Sequence, residues 1–339
     1  MSQLLPPEWA PQWGVMLTWP RPDGDFAQVF DEVQRNFVAI AAAISRYEHV
    51  LIGYWGKPEQ LRDQLAVAGA QAQRLHIVEV ESNDVWARDH GPITVLRDGK
   101  PVHLDFQFNG WGGKFDASLD NQITGKLARQ KALTAPVESV DFVLEGGGIE
   151  ADGAGTLLTT ERCLLAPTRN PQLDRKAIEQ RLKNWFGLQR VLWLQHGDLM
   201  GDDTDGHIDT IVRFCDARTI AYQACDDRGD PHFDELQAMA VELRALRQLD
   251  GEPYKLVALP LPGAIHDADG RRLPAGYANF LILNQAVLVP VYADPGDSLA
   301  LERLRPCFPG REVIGIDCRA LIQQYGSLHC VTMQIPQGR

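Results

Sequence analysis

The chain of 339 residues is 45% hydrophobic and 23% charged, so it can bury a substantial core, and its length suits two average domains or one large one. Its formal net charge of -12 argues against nucleic acid and an anionic membrane surface as partners, since both are bound through Lys/Arg-rich faces. The same charge is compatible with a cationic small molecule. The opening residues "MSQLLPPEWAPQWG" show neither the basic region nor the apolar run of a signal peptide. The most apolar stretches, 37–44 and 286–292, fall well short of the roughly 20 residues that a membrane span needs. Six cysteines, at 163, 215, 225, 307, 318 and 330, form no Cys-x-x-Cys pair and no close Cys/His spacing. No structural zinc or disulfide framework is therefore expected, and a reducing cytoplasm fits best.

In chain order, "GVMLTWP" (14–20) reads as a strand, 26–46 has apolar positions at helical spacing, and "HVLIGYW" (49–55) is again a strand. Hairpin patterns then recur. The first is 91–106, turning at Asp98-Gly99, and the second is 147–165, turning at Asp152-Gly153. Two more, 207–225 and 277–292, turn less sharply, at Asp216-Ala217 and Asn284-Gln285. Helical stretches at 173–187, 233–249 and 298–308 lead into short strands at 190–195, 254–260 and 312–316. The unit is hairpin, helix, strand, repeated roughly every 50 to 75 residues. Five such units fill the chain if the last strand, 329–335, joins the N-terminal one. The fold expected is α/β, one domain of five modules in a ring, with an ordinary two-domain α/β protein as the alternative.

Each hairpin opens with a polar residue among glycines or turn residues. Asp89 lies in "NDVWARDHGP", Glu145 in "LEGGG", His207 and Asp209 in "DGHID", Asn279 in "GYAN" and Cys330 in "YGSLHC". In a ring these strand starts would meet near the axis, where loops held by a rigid scaffold carry function. The stretch "GDDTDGHIDT" (201–210) is not an EF-hand loop: with Gly206 as its sixth residue, the first is Gly201 and the twelfth Val212, and neither can ligate calcium as required. Asp202 and Asp203 read as caps or turn residues. His207 and Asp209 alternate with Ile208 at the start of an apolar strand, which would place both on one face, and buried polar groups there need partners.

Five of the cysteines read as inert packing. Cys330, after a Gly-Ser turn, is the candidate nucleophile, and His207 the candidate partner from elsewhere in the chain. His329, as the next residue on a strand, faces the other way and is not expected to be its base. Trp86 and Trp111 suit either a pocket wall or the core. The chain shows no P-loop, no G-x-G-x-x-G and no G-x-S-x-G elbow.

Taken together, "NDVWARDHGP" (83–92), "FNGWGGK" (108–114), "LEGGGIEADGAGTLLTTERCLL" (144–165), "RNP" (169–171), "GDDTDGHIDT" (201–210), "SLHC" (327–330) and the opening "PPEWAPQWGVMLTWP" (6–20) resemble the agmatine deiminase family of the guanidine-modifying pentein superfamily. The resemblance spans nearly the whole chain. It implies a pentein α/β propeller of five ββαβ modules and a single catalytic domain over 1–339. The activity implied is hydrolysis of agmatine to N-carbamoylputrescine and ammonia, as in polyamine biosynthesis. Carried over position by position, Cys330 is the nucleophile, His207 the general acid/base, Asp89 and Asp209 the carboxylates that grip the guanidinium, Glu145 the residue that orients His207, and Trp86 a wall of the substrate pocket. No metal or organic cofactor is called for, and a homo-oligomer is compatible with the family. Deimination of free or peptidyl arginine, amidino transfer on the same core, and a non-catalytic binding ring stay open as alternatives. Three positions depart from the family pattern: Gln12 and Glu150 stand where His is expected, and "YGSL" replaces a Gly-rich run with Asn. Substrate fit and subunit contacts hang on them.

Overall fold

A computed structural model describes residues 2–338 of the chain, so the end residues Met1 and Arg339 of the expected domain lie outside the described residues. The architecture is α/β with five small sheets. Each sheet holds an antiparallel pair extended by a parallel strand. Ile93–Arg97 pairs antiparallel with Lys100–Gln107, which runs parallel to Val137–Val143. Glu150–Ala151, Thr156–Thr160 and Arg190–Leu194 repeat that order. So do Val212–Asp216, Thr219–Gln223 and Lys255–Leu259, and then Leu281–Ile282, Ala286–Val291 and Glu312–Asp317.

The fifth sheet joins the two ends of the chain. Thr332–Pro336 pairs antiparallel with Gln12–Thr18, which runs parallel to His49–Tyr54. Two sheets carry a strand beyond the expected unit. Leu75–Glu79 extends the fifth, and Gln3–Leu4 edges the first by pairing with Ile93–Arg97.

The parallel connections are helical, as a parallel pair requires. In Phe30–Ser45 the residues Val33, Phe37, Ile40, Ala41 and Ile44 are all buried, a 3–4 spacing that makes one apolar face. Each of the larger side chains contributes about 1.5–3 kcal/mol on leaving water. Arg175–Phe186 starts where the Asp174 carboxylate accepts a hydrogen bond from Ala177 N at 2.8 Å, and it buries Ile178, Leu182 and Phe186. Phe233–Ala245 and Asp297–Leu304 serve the next two sheets.

The sequence reading needs correction at two places that matter to the site. Residues 207–211 are not strand: Ile208–Thr210 is a 3₁₀ turn and the strand begins at Val212. Residues 161–164 are likewise a helical turn, capped by the Thr160 hydroxyl accepting from Cys163 N. Turn chemistry overrides the apolar pattern in both. Asp202 and Thr204 bind the backbone N–H groups of Gly206 and His207, which curls the chain before the strand can start. Similar short turns precede other first strands, Ala87–His90 before Ile93 and Gly146–Gly148 before Glu150. These turns carry Asp89 and Asp209, with Glu145 and His207 as the residues just before them. No helix among the described residues is long and apolar enough to cross a membrane.

Candidate active site

Asp89 sits in the turn Ala87–His90, which is tied to the far end of the chain by a hydrogen bond from Arg88 N to the Cys330 carbonyl at 3.1 Å. Its carboxylate is buried. Oδ2 accepts from the Trp111 indole N–H at 3.0 Å and Oδ1 from Gly147 N at 3.0 Å. Burial raises its pKa to about 6; His207 and the Trp111 hydrogen bond pull the other way, while Asp209 and Glu145 add to the rise.

Gly147 shows how closely the site is drawn together. A Cβ there would lie 2.5 Å from His207 Nδ1, 2.9 Å from Asp89 Oδ1 and 3.2 Å from Asp209 Oδ1. Three groups from two segments thus converge on one backbone position of a third, which only glycine can occupy. His207 is buried, with Nδ1 3.6 Å from Asp89 Oδ1, and its Nε2 has no hydrogen-bond partner among the described residues. Burial would lower its pKa, but Asp89, Cys163 and Glu145 outweigh burial and raise it well above the usual value. Its surroundings therefore favour the protonated imidazole.

Glu145 does not hydrogen-bond His207 directly. Both its oxygens take the Arg169 Nε–H, at 3.0 and 2.9 Å. The same guanidinium donates to Asp205 Oδ2 and to the Thr204 carbonyl, and the Thr204 hydroxyl accepts from His207 N. Glu145 therefore holds the turn that carries His207, with Arg169 as the link. The sequence motif "RNP" contained Arg169, but no local signal marks a partner 24 residues away.

Cys330 is buried, and its sulfur meets Asn279: Nδ2 donates to Sγ at 3.2 Å, and Oδ1 lies 3.4 Å away. Asp209 Oδ2 is 3.9 Å from the sulfur. No hydrogen bond joins Cys330 to His207 among the described residues. Burial, then Asp209 and Asp89, push the thiol pKa well up, which favours the neutral thiol. Asp209 behaves in the opposite way. Burial alone would raise it, but His329, whose Nδ1 is 2.7 Å from Oδ2, acts with His207 and Arg213 to hold it below the usual carboxylate range. Its Oδ1 has no hydrogen-bond partner among the described residues. His329, expected on the strand, lies instead in a turn before Thr332–Pro336, and its ring meets Asp209 rather than Cys330, so it belongs to the site through Asp209.

A narrow cavity opens onto Asp89 and Cys330. Trp86, Trp111 and Phe115 line it with Asp25, Asp84 and Asp203. Trp86 lies against Gly326, where a Cβ would come within 2.1 Å of its ring, and its N–H donates to Asp84 Oδ2 at 2.7 Å. Burial and the neighbouring Asp25 raise Asp84 to about 7; burial and Asp202 raise Asp203 to about 6. Asp203, expected as a plain turn residue, thus faces the cavity. Of the departures from the family pattern, Gln12 and Glu150 are buried in hydrogen bonds to Ile282 and to Arg213 and Phe214, away from the cavity, whereas Tyr325 of "YGSL" lines it.

Glu145, Cys163 and His207 bring one ligand atom each within 4.8 Å of one another. That set could hold a cation, but Arg169 already supplies the positive charge against Glu145.

Two buried carboxylates close to a thiol and to a histidine, with an acidic, aromatic cavity in front, describe a thiol site suited to a cation. Comparison with known proteins agrees. A model of the Porphyromonas-type peptidyl-arginine deiminase family matches residues 4–336, and the chain belongs to that family. It is 34% identical to an agmatine deiminase of Stutzerimonas stutzeri, over 98% of this chain and 95% of that one. A solved structure of a C. jejuni agmatine deiminase, a cysteine-to-serine form with substrate bound, is 35% identical with a TM-score of 0.91, covering 99% of this chain and 97% of that one. A Porphyromonas gingivalis structure bearing the provisional name arginine deiminase is 51% identical with a TM-score of 0.92, covering 99% of both chains.

Proposed function

We propose that the chain is a hydrolase of linear amidines that converts agmatine and water to N-carbamoylputrescine and ammonia, with Cys330 as nucleophile. A guanidinium keeps its proton throughout the working pH range and is a poor electrophile. Asp89 and Asp209 would grip it through charge-assisted hydrogen bonds and hold its carbon over Cys330. The arriving cation offsets the two carboxylates that, with burial, raise the thiol pKa, so the thiol gives up its proton to solvent when substrate binds, the proton that the released ammonia finally takes up. The thiolate forms a C–S bond to the guanidinium carbon. Protonated His207 gives its proton to one terminal nitrogen, and the C–N bond breaks to release ammonia. Neutral His207 then takes a proton from water, the hydroxide adds to the amidino-thioether carbon, and the C–S bond breaks. The remaining O–H proton restores the thiol as the ureido product leaves. Glu145 and Arg169 act by holding the His207 turn, and Trp86 forms a wall of the pocket.

The acidic cavity is the observation that carries the choice of agmatine. Among the described residues its lining includes Asp25, Asp84 and Asp203 and no Lys or Arg. The distal ammonium of agmatine would neutralise this wall, whereas the α-carboxylate of free arginine would be repelled by it. Arginine and peptidyl arginine remain the second reading, favoured by the provisional name of the P. gingivalis protein.

On the same reading the five sheets are the modules of a pentein ring forming one catalytic domain, supported by the repeated antiparallel-then-parallel pairing. The product would feed putrescine formation in the cytoplasm, which six free, buried cysteines suit. The test is release of ammonia and ureido product from agmatine, arginine and a blocked arginyl peptide, with Cys330→Ala as control. Turnover of agmatine alone, lost in the variant, is expected. Turnover of the peptide or of arginine instead would overturn the substrate and keep the mechanism.

A further inference from the structure

Asp209 owes its orientation to contacts that run away from the cavity and end in the N-terminal segment. The His329 ring lies between two carboxylates, with Nδ1 2.7 Å from Asp209 Oδ2 and Nε2 2.7 Å from Glu8 Oε2. All three side chains are buried. Glu8 is itself held from several sides: Oε1 accepts from Ile282 N at 2.7 Å, and Oε2 accepts from the Arg213 guanidinium at 2.8 Å with Arg88 at 3.7 Å. Burial alone would raise its pKa, but Arg213 and His329 outweigh it and keep Glu8 ionised.

A ring pinned at both nitrogens cannot turn. It therefore fixes Oδ2 of Asp209 and leaves Oδ1 unpartnered among the described residues, beside the point where Asp89 and His207 meet at Gly147. The backbone of His329 adds a second tie, donating to the same Asn279 Oδ1 that faces the Cys330 sulfur. The N-terminal segment is anchored where Glu8 needs it, since Leu5 N donates to the Phe186 carbonyl and the Gln12 side chain to Ile282 O.

We infer that Glu8 is a positioning residue of the deimination reaction, acting through His329 to aim Asp209 Oδ1 at the guanidinium, so that the N-terminal segment completes an active site it never touches. This rests on the proposed role of Asp209 in gripping substrate. Glu150 supplies the internal control. It is as buried as Glu8 and pairs with the same Arg213, at 3.1 Å, but it has no hydrogen bond to His329 among the described residues. If Glu8 served only to neutralise buried arginine, the two glutamates would be equivalent.

The experiment compares steady-state kinetics of the full chain as wild type, Glu8→Gln, Glu150→Gln, His329→Asn and the Glu8→Gln/His329→Asn double variant, beginning with agmatine. A misdirected carboxylate weakens the grip on substrate, so Glu8→Gln is expected to raise KM by about tenfold or more and to lower kcat less. Glu150→Gln should leave KM within about twofold, and Glu8→Gln should add nothing once His329 is Asn. The inference is overturned if Glu8→Gln leaves KM unchanged, if Glu8→Gln and Glu150→Gln raise it equally, or if the Glu8→Gln effect persists in the His329→Asn background. Should Glu8→Gln not fold, an unchanged KM in folded His329→Asn overturns it, and a raised KM there carries it. A wild type inactive on agmatine overturns the substrate reading alone. The same series is then run on whichever arginine compound is turned over, because the relay acts on the guanidinium they share.

Discussion

The two sides of the guanidinium grip use the same residue type and treat it in opposite ways. Asp89 is held by neutral donors, an indole N–H and a backbone N–H, and burial lifts it to about 6. Asp209 is just as buried but leans on His329, with His207 and Arg213 behind, and stays below the usual range. Burial sets the direction of a carboxylate's shift unless its partners outweigh it: His207 alone does not at Asp89, whereas His329, His207 and Arg213 together do at Asp209. One arm of the grip is therefore permanently charged, and the other titrates near the pH at which the site would work.

Breaking the charged arm should cost most after loss of the thiol itself. Cys330→Ala is expected to abolish turnover, and persistence of measurable activity would remove Cys330 from the mechanism. Asp209→Asn leaves buried His329 with one carboxylate and the substrate with one grip. Truncating one partner of a buried hydrogen-bonded charge pair costs about 2–5 kcal/mol of binding, so kcat/KM should fall by about 10²- to 10³-fold at every pH. A loss confined to low pH would mean that Asp209 is the titrating arm.

Gly147→Ala strikes both arms together. A Cβ 2.5 Å from His207 Nδ1 forces the groups apart, and overpacking of this kind costs about 1–3 kcal/mol of stability. Thermal unfolding and kcat/KM should both decline, and a folded, fully active variant would contradict the convergence described here.

The pH profile sharpens the contrast. Asp89 must be ionised to grip, and its pKa is raised, so kcat/KM should be full above about 6 and fall about tenfold per unit below it. Asp89→Asn should remove that limb along with most of the activity. Trp111→Phe takes away a hydrogen bond that favours the ionised form while keeping the ring. Its acid limb should move to higher pH by up to about one unit, since such a bond is worth about 1.5 kcal/mol. A downward move would mean that Trp111 does not stabilise the Asp89 anion.

Much of this was legible in the sequence, and the limits have a physical cause. The hairpin, helix and strand periods are local properties and appear with boundaries shifted by a few residues, as in 26–46 against Phe30–Ser45. Asp89, Glu145, His207, Asp209 and Cys330 stood out because each is polar beside an apolar strand. Their support did not. Arg169 reaches Glu145 across 24 residues, His329 reaches Asp209 across 120, and Glu8 reaches His329 across 321. No spacing rule links such pairs. The expected strand alternation at 207–209 also failed, yet His207 and Asp209 do approach one point. A 3₁₀ turn brings them there, because Asp202 and Thr204 hydrogen bonds delay the strand.

The most direct test of the central claim is acid quenching during agmatine turnover, followed by peptide mass analysis. The account predicts an adduct of agmatine less ammonia on the peptide that carries Cys330, absent in Cys330→Ala. An adduct on the Cys163 peptide, or turnover that survives loss of Cys330, would contradict it.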